Sequence, residues 1–329
     1  MSELYDVTII GGGTTGLYTA FYSGMRDLKT KVIEYQPDLG GKVSFFYPEK
    51  KLYDVGGFPG VLGEDLVVNV KEQALSVQPT IVTGDKITDF EKQEDGTIVL
   101  TASTGEKHFT RTVIVASGLG TYDMRPLDVE GSHFYEGNHI HYTIQNLMQY
   151  TGQKTAVISE NRVGLDWALA LENVAAEVHL INRGPEFKAV YENDLEKLKQ
   201  SGVHVHMEAK IEKLEGTELE LEGVILDNGE QIQTNHLLVY EGLQIDKSLY
   251  DQWGLVTDKG RLPVGTDMAT SMEGVFVAGD AAVYPSKTML IASGFNEAMT
   301  AVNSAKLFID PKAKSQVYST VIYKHGHNE

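Results

Sequence analysis

Apolar residues fall along this chain in two repeats of one order: strand, helix, strand. Leu4-Tyr5-Asp6-Val7-Thr8-Ile9-Ile10 reads as a strand buried on both faces, and it runs into Gly11-Gly12-Gly13-Thr14-Thr15-Gly16. Leu17 to Met25 then carries an amphipathic helical pattern, and Thr30-Lys31-Val32-Ile33 predicts a second strand that ends on Glu34. Near-continuous apolar runs bounded by glycine are what parallel strands covered on both sides look like. The order returns in mid-chain, where Thr155-Ala156-Val157-Ile158 predicts a strand, Leu165 to Glu172 a helix and Val178-His179-Leu180-Ile181 another strand. The pattern therefore predicts an α/β chain with two Rossmann-like dinucleotide-binding domains, the second inserted into the first.

Between and after these units the signals are weaker but ordered. The aromatic stretch from Phe45 to Gly60, rich in Gly and Pro, reads as irregular backbone, and Leu62 to Ser76 as a helix. Ile98 to Ala102 and His108 to Ala116 form a predicted hairpin, whose second strand breaks at Ser117-Gly118. Asp194 to Gln200 is helical, Val203 to Glu208 a strand, and Asp227-Asn228-Gly229 a hairpin turn before Leu237 to Tyr240. Gly274 to Ala278 is a buried strand ending on Gly279-Asp280, which sets a carboxylate at the carboxyl edge of a sheet. A last helix runs from Ile291 to about Phe308. The expected domains are 1–118 and 243–329 for the outer, cofactor-binding domain and 119–242 for the insert.

The first glycine pattern carries chemistry. G-x-G-x-x-G between a strand and a helix, with an acid after the next strand, is the spacing a dinucleotide requires. Gly11 permits the tight turn, Gly13 lets backbone approach a pyrophosphate, and Gly16 allows close helix–strand packing. The helix beginning near Thr14 and Thr15 offers N–H groups and partial positive charge to phosphates. Glu34 stands where a carboxylate accepts hydrogen bonds from ribose hydroxyls.

Composition narrows the classes. The chain has 329 residues, no cysteine, and 28 basic against 46 acidic side chains, a net charge of −18. Absent cysteine excludes disulfides, thiolate metal sites and dithiol redox chemistry. The acidic balance argues against nucleic acid and anionic membrane as partners. No apolar run approaches the roughly 18 residues of a membrane span, and no leader pattern precedes the first strand, so a cytoplasmic location is expected.

These motifs resemble a known family. GGGTTG with Glu34, Gly40-Gly41-Lys42, the Ala116-Ser117-Gly118 turn, VFVAGD near the end and an inserted βαβ domain are similar to two-domain FAD-dependent reductases. The stretches FYPEKKLYDVGGFPG and AAVYPSKTMLIASGFNEAMTAVNSAK resemble the ferredoxin–NADP reductases of the thioredoxin-reductase-like type, which lack the redox CxxC. The resemblance implies FAD in the outer domain, with Gly11 to Thr15 on the pyrophosphate and Glu34 on the adenosine ribose. It implies Gly41, Lys42 and Tyr47 beside the flavin and Gly279 and Asp280 near its ribityl chain and phosphates. It also implies a homodimer in which a C-terminal aromatic ring, here Tyr318 followed by Ser319, covers the flavin. The implied partners are a pyridine nucleotide, NADPH, and a one-electron acceptor of the ferredoxin or flavodoxin kind.

The insert departs from that pattern. Where relatives have a glycine-rich G-G-G-D-S-A turn, this chain reads Ser159-Glu160-Asn161-Arg162-Val163-Gly164. Where they hold the 2′-phosphate with an H-R-R pattern and a later Arg, it reads Asn182-Arg183-Gly184 and then Lys188. Lost glycines and a like charge at Glu160 predict weak NADPH binding. They raise an alternative, a flavoprotein without nucleotide turnover that is reduced by a protein donor or acts as a redox partner or sensor subunit. The pairs His139/His141 and His204/His206 would each share a strand face, but no carboxylate or thiol accompanies either motif, and no metal site is expected.

Overall fold

A computed structural model describes residues 3–118, 120–246 and 249–315 of the chain. Tyr318 and Ser319 lie outside the described residues. The chain divides into two compact units, Met1–Tyr122 with Ile245–Glu329, and Asp123–Gln244.

In the first unit the strand order is Thr80–Thr83, Thr30–Glu34, Leu4–Ile10, Lys107–Val115, Ile98–Ala102, Ile87–Lys92. Leu4–Ile10 is parallel to both of its neighbours, with Ile9 opposite Val32 and Ile114. Lys107–Val115 serves two partners on its other side. Its first half pairs antiparallel with Ile98–Ala102, and its second half pairs parallel with Val275–Val277. The carboxyl ends of Leu4–Ile10 and Val275–Val277 are thereby brought to one edge of the sheet. Helices Thr14–Met25, Gly63–Leu75 and Ile291–Ile309 cover one face, where Leu17, Leu66, Val70 and Val302 meet Val7, Ile9 and Ile114. Each such fully buried aliphatic side chain contributes roughly 1.5–3 kcal/mol. The other face buries Ile10, Ile33, Leu100 and Val115 against Trp253 and Leu262.

The second unit is an all-parallel sheet in the order Ile140–His141, His236–Tyr240, Lys154–Ser159, Glu177–Ile181, His204–His206. Helix Arg162–Leu171 packs Leu165, Trp167 and Leu171 on one face of it, with Val157, Leu180 and Leu238. A three-stranded antiparallel sheet, Ile211–Gly216, Leu221–Leu226 and Gln231–Gln233, shares the other core through Leu221, Val224 and Ile232.

Both βαβ units are present where the apolar pattern predicts them, and the fold is the expected α/β pair of Rossmann-like domains. The aromatic stretch is more regular than expected. Gly41–Phe46 is a short helix, and Lys51–Leu52 pairs with Val61–Leu62 across the Gly-rich turn. The strand Ile87–Lys92 has no counterpart in the sequence reading. Its buried positions are Ile87 and Phe90, three residues apart, because a register shift between Ile87 and Asp89 breaks the alternation of two.

Candidate functional site

The first glycine turn shows which of its glycines the protein itself requires. Gly11 has φ +109°, and a Cβ there would stand 2.6 Å from the Ala116 carbonyl oxygen. A Cβ on Gly16 would collide with the Gly11 carbonyl, and one on Gly12 with Leu39. Gly13 differs, because its Cβ would meet only Gly41 Cα, at an ordinary 3.7 Å. Nothing in the polypeptide demands glycine at position 13, so the space beside it is a cradle open to a ligand. Thr15, one turn on, fills the room that Gly279 and Gly294 leave by lacking side chains.

Gly13 borders a cleft of the first unit with about 1150 Å³ of free space, solvent included. Gly11, Thr14, Thr15, Glu34, Gly41, Lys42, Tyr47, Gly279 and Asp280 line the same cleft. Of the described residues singled out for the cofactor, Gly12 and Gly16 are not among its walls; Gly12 donates its N–H to Glu34, and the task of Gly16 is close packing against the turn. Glu34 is buried, with Oε2 accepting the Gly12 N–H at 2.5 Å and Oε1 the Gln36 N–H at 2.8 Å. Burial pushes its carboxyl up from the usual range, and the amides of Gln36, Gly12 and Tyr35 pull it back. Lys42 pairs with Asp280, which joins the Gly40-Gly41 turn to the end of strand Val275–Val277. Burial, with Asp280 and Asp54 nearby, pushes the Tyr47 phenol up to about 12, so it stays a neutral hydrogen-bond donor.

One group here escaped the sequence reading. Glu297 is 2% exposed; its Oε2 accepts the Gly279 N–H at 2.8 Å, and its Oε1 accepts from Tyr284 Oη at 2.5 Å and from Lys287. The carboxylate thus ties the Gly279-Asp280 turn to helix Ile291–Ile309. The signal was legible, because Glu297 occupies the apolar stripe Gly294, Ala298, Ala301, Val302, Ala305, where an unpaired charge would be costly. An open cradle at Gly13, a helix N-terminus and a buried ribose-side carboxylate fit FAD. A carbon substituent there has room only where the cofactor would lie.

The turn of the insert is built differently. Ser159 is buried, and its Oγ accepts the Asn161 N–H at 3.2 Å. Asn161 caps helix Arg162–Leu171, its Oδ1 taking the Val163 N–H at 2.9 Å. Gly164 keeps the packing role of the third glycine, since a Cβ there would collide with Ser159. A second cleft, with about 990 Å³ of free space, solvent included, is lined by Ser159, Glu160, Asn161, Arg125, Arg183 and Lys188. In it Lys188 pairs with Glu160 and Arg183 with Glu241. Asn182 is not among its walls. It is fully buried and holds the 182–186 turn, donating to the Glu186 carbonyl at 3.1 Å and accepting the Gly184 N–H at 2.8 Å.

Among the described residues no helix is long and apolar enough to cross a membrane. Residues 5–305 match the family described as pyridine nucleotide-disulphide oxidoreductase. A ferredoxin–NADP reductase 1 of Bacillus velezensis is 46% identical over 324 residues, 97% of this chain and 96% of that protein. One from Listeria monocytogenes is 39% identical over 320 residues, 96% of each chain. Among solved structures, thioredoxin reductase of Lactococcus lactis has a TM-score of 0.70 at 19% identity, covering 93% of this chain and 99% of its own. That likeness speaks for the fold. The relatives do not favour the alternative of a flavoprotein without nucleotide turnover. The chain belongs to the pyridine nucleotide-disulphide oxidoreductase family, within its ferredoxin–NADP reductases, and is a FAD-dependent oxidoreductase.

Proposed function

We propose that the protein exchanges electrons between NADP(H) and a one-electron carrier of the ferredoxin or flavodoxin kind, as a cytoplasmic homodimer. The observation that carries the nucleotide assignment is Arg183. It lies two residues past the second strand of the insert's βαβ unit, one beyond Asn182, which takes the position that Glu34 holds in the first unit, since Ile181 pairs with Ile158 as Ile33 pairs with Ile10. A carboxylate at the strand end suits a free ribose, and a guanidinium one residue further on suits a ribose bearing a 2′-phosphate. Lys188 and Arg125 line the same cleft and add positive charge. Ferredoxin as the carrier rests on the names of the relatives.

FAD, when bound, supplies the capacity to take up a hydride and to release single electrons. The residues of the chain bind and orient it. Gly13 leaves room for the pyrophosphate, the start of helix Thr14–Met25 offers it N–H groups, and Glu34 accepts from the adenosine ribose. Lys42, Tyr47, Gly41 and the Gly279-Asp280 turn bound the flavin side, and Tyr318 with Ser319 is proposed to cover it from the partner chain. No side-chain acid or base is required for the hydride itself.

Anaerobic mixing of the oxidised protein with NADPH or NADH, followed by flavin absorbance, tests this reading. NADPH is expected to bleach the flavin at lower concentration than NADH, and added ferredoxin then to restore the oxidised spectrum. A flavin that millimolar NADPH leaves oxidised would end the assignment.

A further inference from the structure

Two ion pairs line the nucleotide cleft of the insert, and they are not alike. The Lys188 and Glu160 side chains are 71% and 34% exposed. Arg183 is 43% exposed, but the Glu241 carboxylate that it meets is only 12% exposed. Among the described residues Arg183 is the one partner of that carboxylate. Burial, with Glu136 and Glu241 nearby, pushes the Tyr142 phenol up to about 12, yet it donates to Glu136 Oε1, at 2.7 Å, and not to Glu241.

Strand register shows where the Arg183–Glu241 pair lies. On one side of the middle strand Ile158 pairs with Ile181, and on the other Ser159 pairs with Tyr240. Arg183, Glu160 and Glu241 therefore leave the carboxyl ends of three neighbouring strands at one level. Arg183 and Glu241 belong to the two outer strands, about 9.5 Å apart at the usual strand spacing. Their side chains meet across the end of the middle strand, which feeds the Ser159-Glu160-Asn161 turn and helix Arg162–Leu171. The sheet runs away from that strand in both directions, and an open α/β sheet takes its ligand at such a switch point. The pair spans the mouth of the crevice.

We propose that Glu241 is a specificity-determining residue: its carboxylate holds the Arg183 guanidinium, and the 2′-phosphate of NADP(H) has to displace it. This role rests on Arg183 being the 2′-phosphate contact, as proposed above. The exchange is one that a phosphate wins. A phosphate monoester carries close to two charges near neutral pH and three acceptor oxygens, against one charge and two oxygens on a carboxylate. A guanidinium fork fits either of them. NAD(H) brings only a neutral ribose hydroxyl to the same place and leaves the ion pair as it stands. Glu241 therefore acts on one nucleotide. It weakens NADP(H) and narrows the margin over NAD(H).

Calorimetric titration of the oxidised, FAD-loaded protein with NADP+ and NAD+, which differ only in the 2′-phosphate, tests the proposal. Glu241→Gln keeps the shape of the side chain and should raise the preference for NADP+ about fivefold, by lowering its Kd. In the Arg183→Ala background the same substitution should leave the preference unmoved, because no guanidinium is there to be released. Glu212→Gln removes an exposed acid of an adjoining cleft and should not alter the preference. An equal gain with Arg183 absent, or in Glu212→Gln, would reduce Glu241 to plain charge repulsion and overturn the proposal. An unchanged or falling preference in Glu241→Gln would overturn it too, while the reading of Arg183 stood. A parent protein with no preference for NADP+, or with one that survives Arg183→Ala, would overturn that reading and the role of Glu241 together. Retained flavin absorbance and far-UV circular dichroism check that each variant is folded.

Discussion

The chain contains the same supersecondary unit twice, and the two copies solve the turn after the first strand in different ways. After Leu4–Ile10 the turn is made of backbone, with glycines at 11, 12 and 13 and the Gly12 amide held by Glu34. After Lys154–Ser159 it is made of side chains, with Ser159 holding Asn161, Asn161 capping the helix and Lys188 paired with Glu160. Only the third glycine, Gly16 in one copy and Gly164 in the other, is kept in both, because helix and strand collide without it. Packing therefore governs the third position of the fingerprint, whereas no packing contact requires glycine at the middle one in the first copy. At the end of the second strand the first copy carries the acid Glu34 and the second the neutral Asn182, with the cation Arg183 one residue further on.

The largest effect should come from closing the cradle. Gly13→Val leaves the protein free to fold, since a Cβ meets no clash, yet it fills the pyrophosphate space. The variant should leave gel filtration colourless; a full complement of FAD would show that the two turns differ for some other reason. Next is Glu297→Ala, which strands Lys287 as a buried charge and frees the Gly279-Asp280 turn. Removing one partner of a buried pair costs about 3–5 kcal/mol, read as a lower unfolding temperature together with faster flavin release.

Arg183→Ala tests the cation that the second copy carries just beyond its second strand. It should raise KM for NADPH by about tenfold to a hundredfold, nearer the lower figure because the side chain is part-exposed, and leave NADH nearly unchanged. An equal change for both nucleotides would remove Arg183 from the 2′-phosphate. Glu160→Gly makes the second turn more like the first and frees Lys188. KM for NADPH should fall about threefold, a modest gain because the ion pair is largely solvated. A rise instead would mean that the pair shapes the turn for the nucleotide.

The smallest effect is one of pH. Burial, with His141 and His139 nearby, pushes His236 in the insert down to about 4. A histidine whose folded value lies below its unfolded one stabilises fully above about pH 6.5, and that stability is lost as pH falls toward the folded value. The unfolding temperature should therefore drop between pH 7 and pH 5, and His236→Gln should flatten the decline. An unaltered slope in that variant would assign the acid sensitivity to other groups.

Much of this was open to reading from the chain alone. Both βαβ units, the glycine turn, Glu34 and the Gly279-Asp280 ending are local in sequence, and their physics is local too. Apolar runs set which strands are buried, glycine sets where backbone can turn, and an acid one strand later faces the same edge. The strand Ile87–Lys92 escaped because a bulge spoils its period, and periodicity is the only signal a short strand has. Glu297 escaped as a functional group because its partners, Gly279, Tyr284 and Lys287, come from a different element.

What the sequence determined by itself is the pair of dinucleotide folds and the position of the first glycine turn, since both follow from spacing along one stretch of chain. What only the tertiary structure decided is which charges meet. Lys42 with Asp280, Arg183 with Glu241 and Glu177 with His179 and His204 are joined by strand order and helix packing. Coulomb contacts depend on distances of a few ångströms between elements, and no periodicity within one element encodes those.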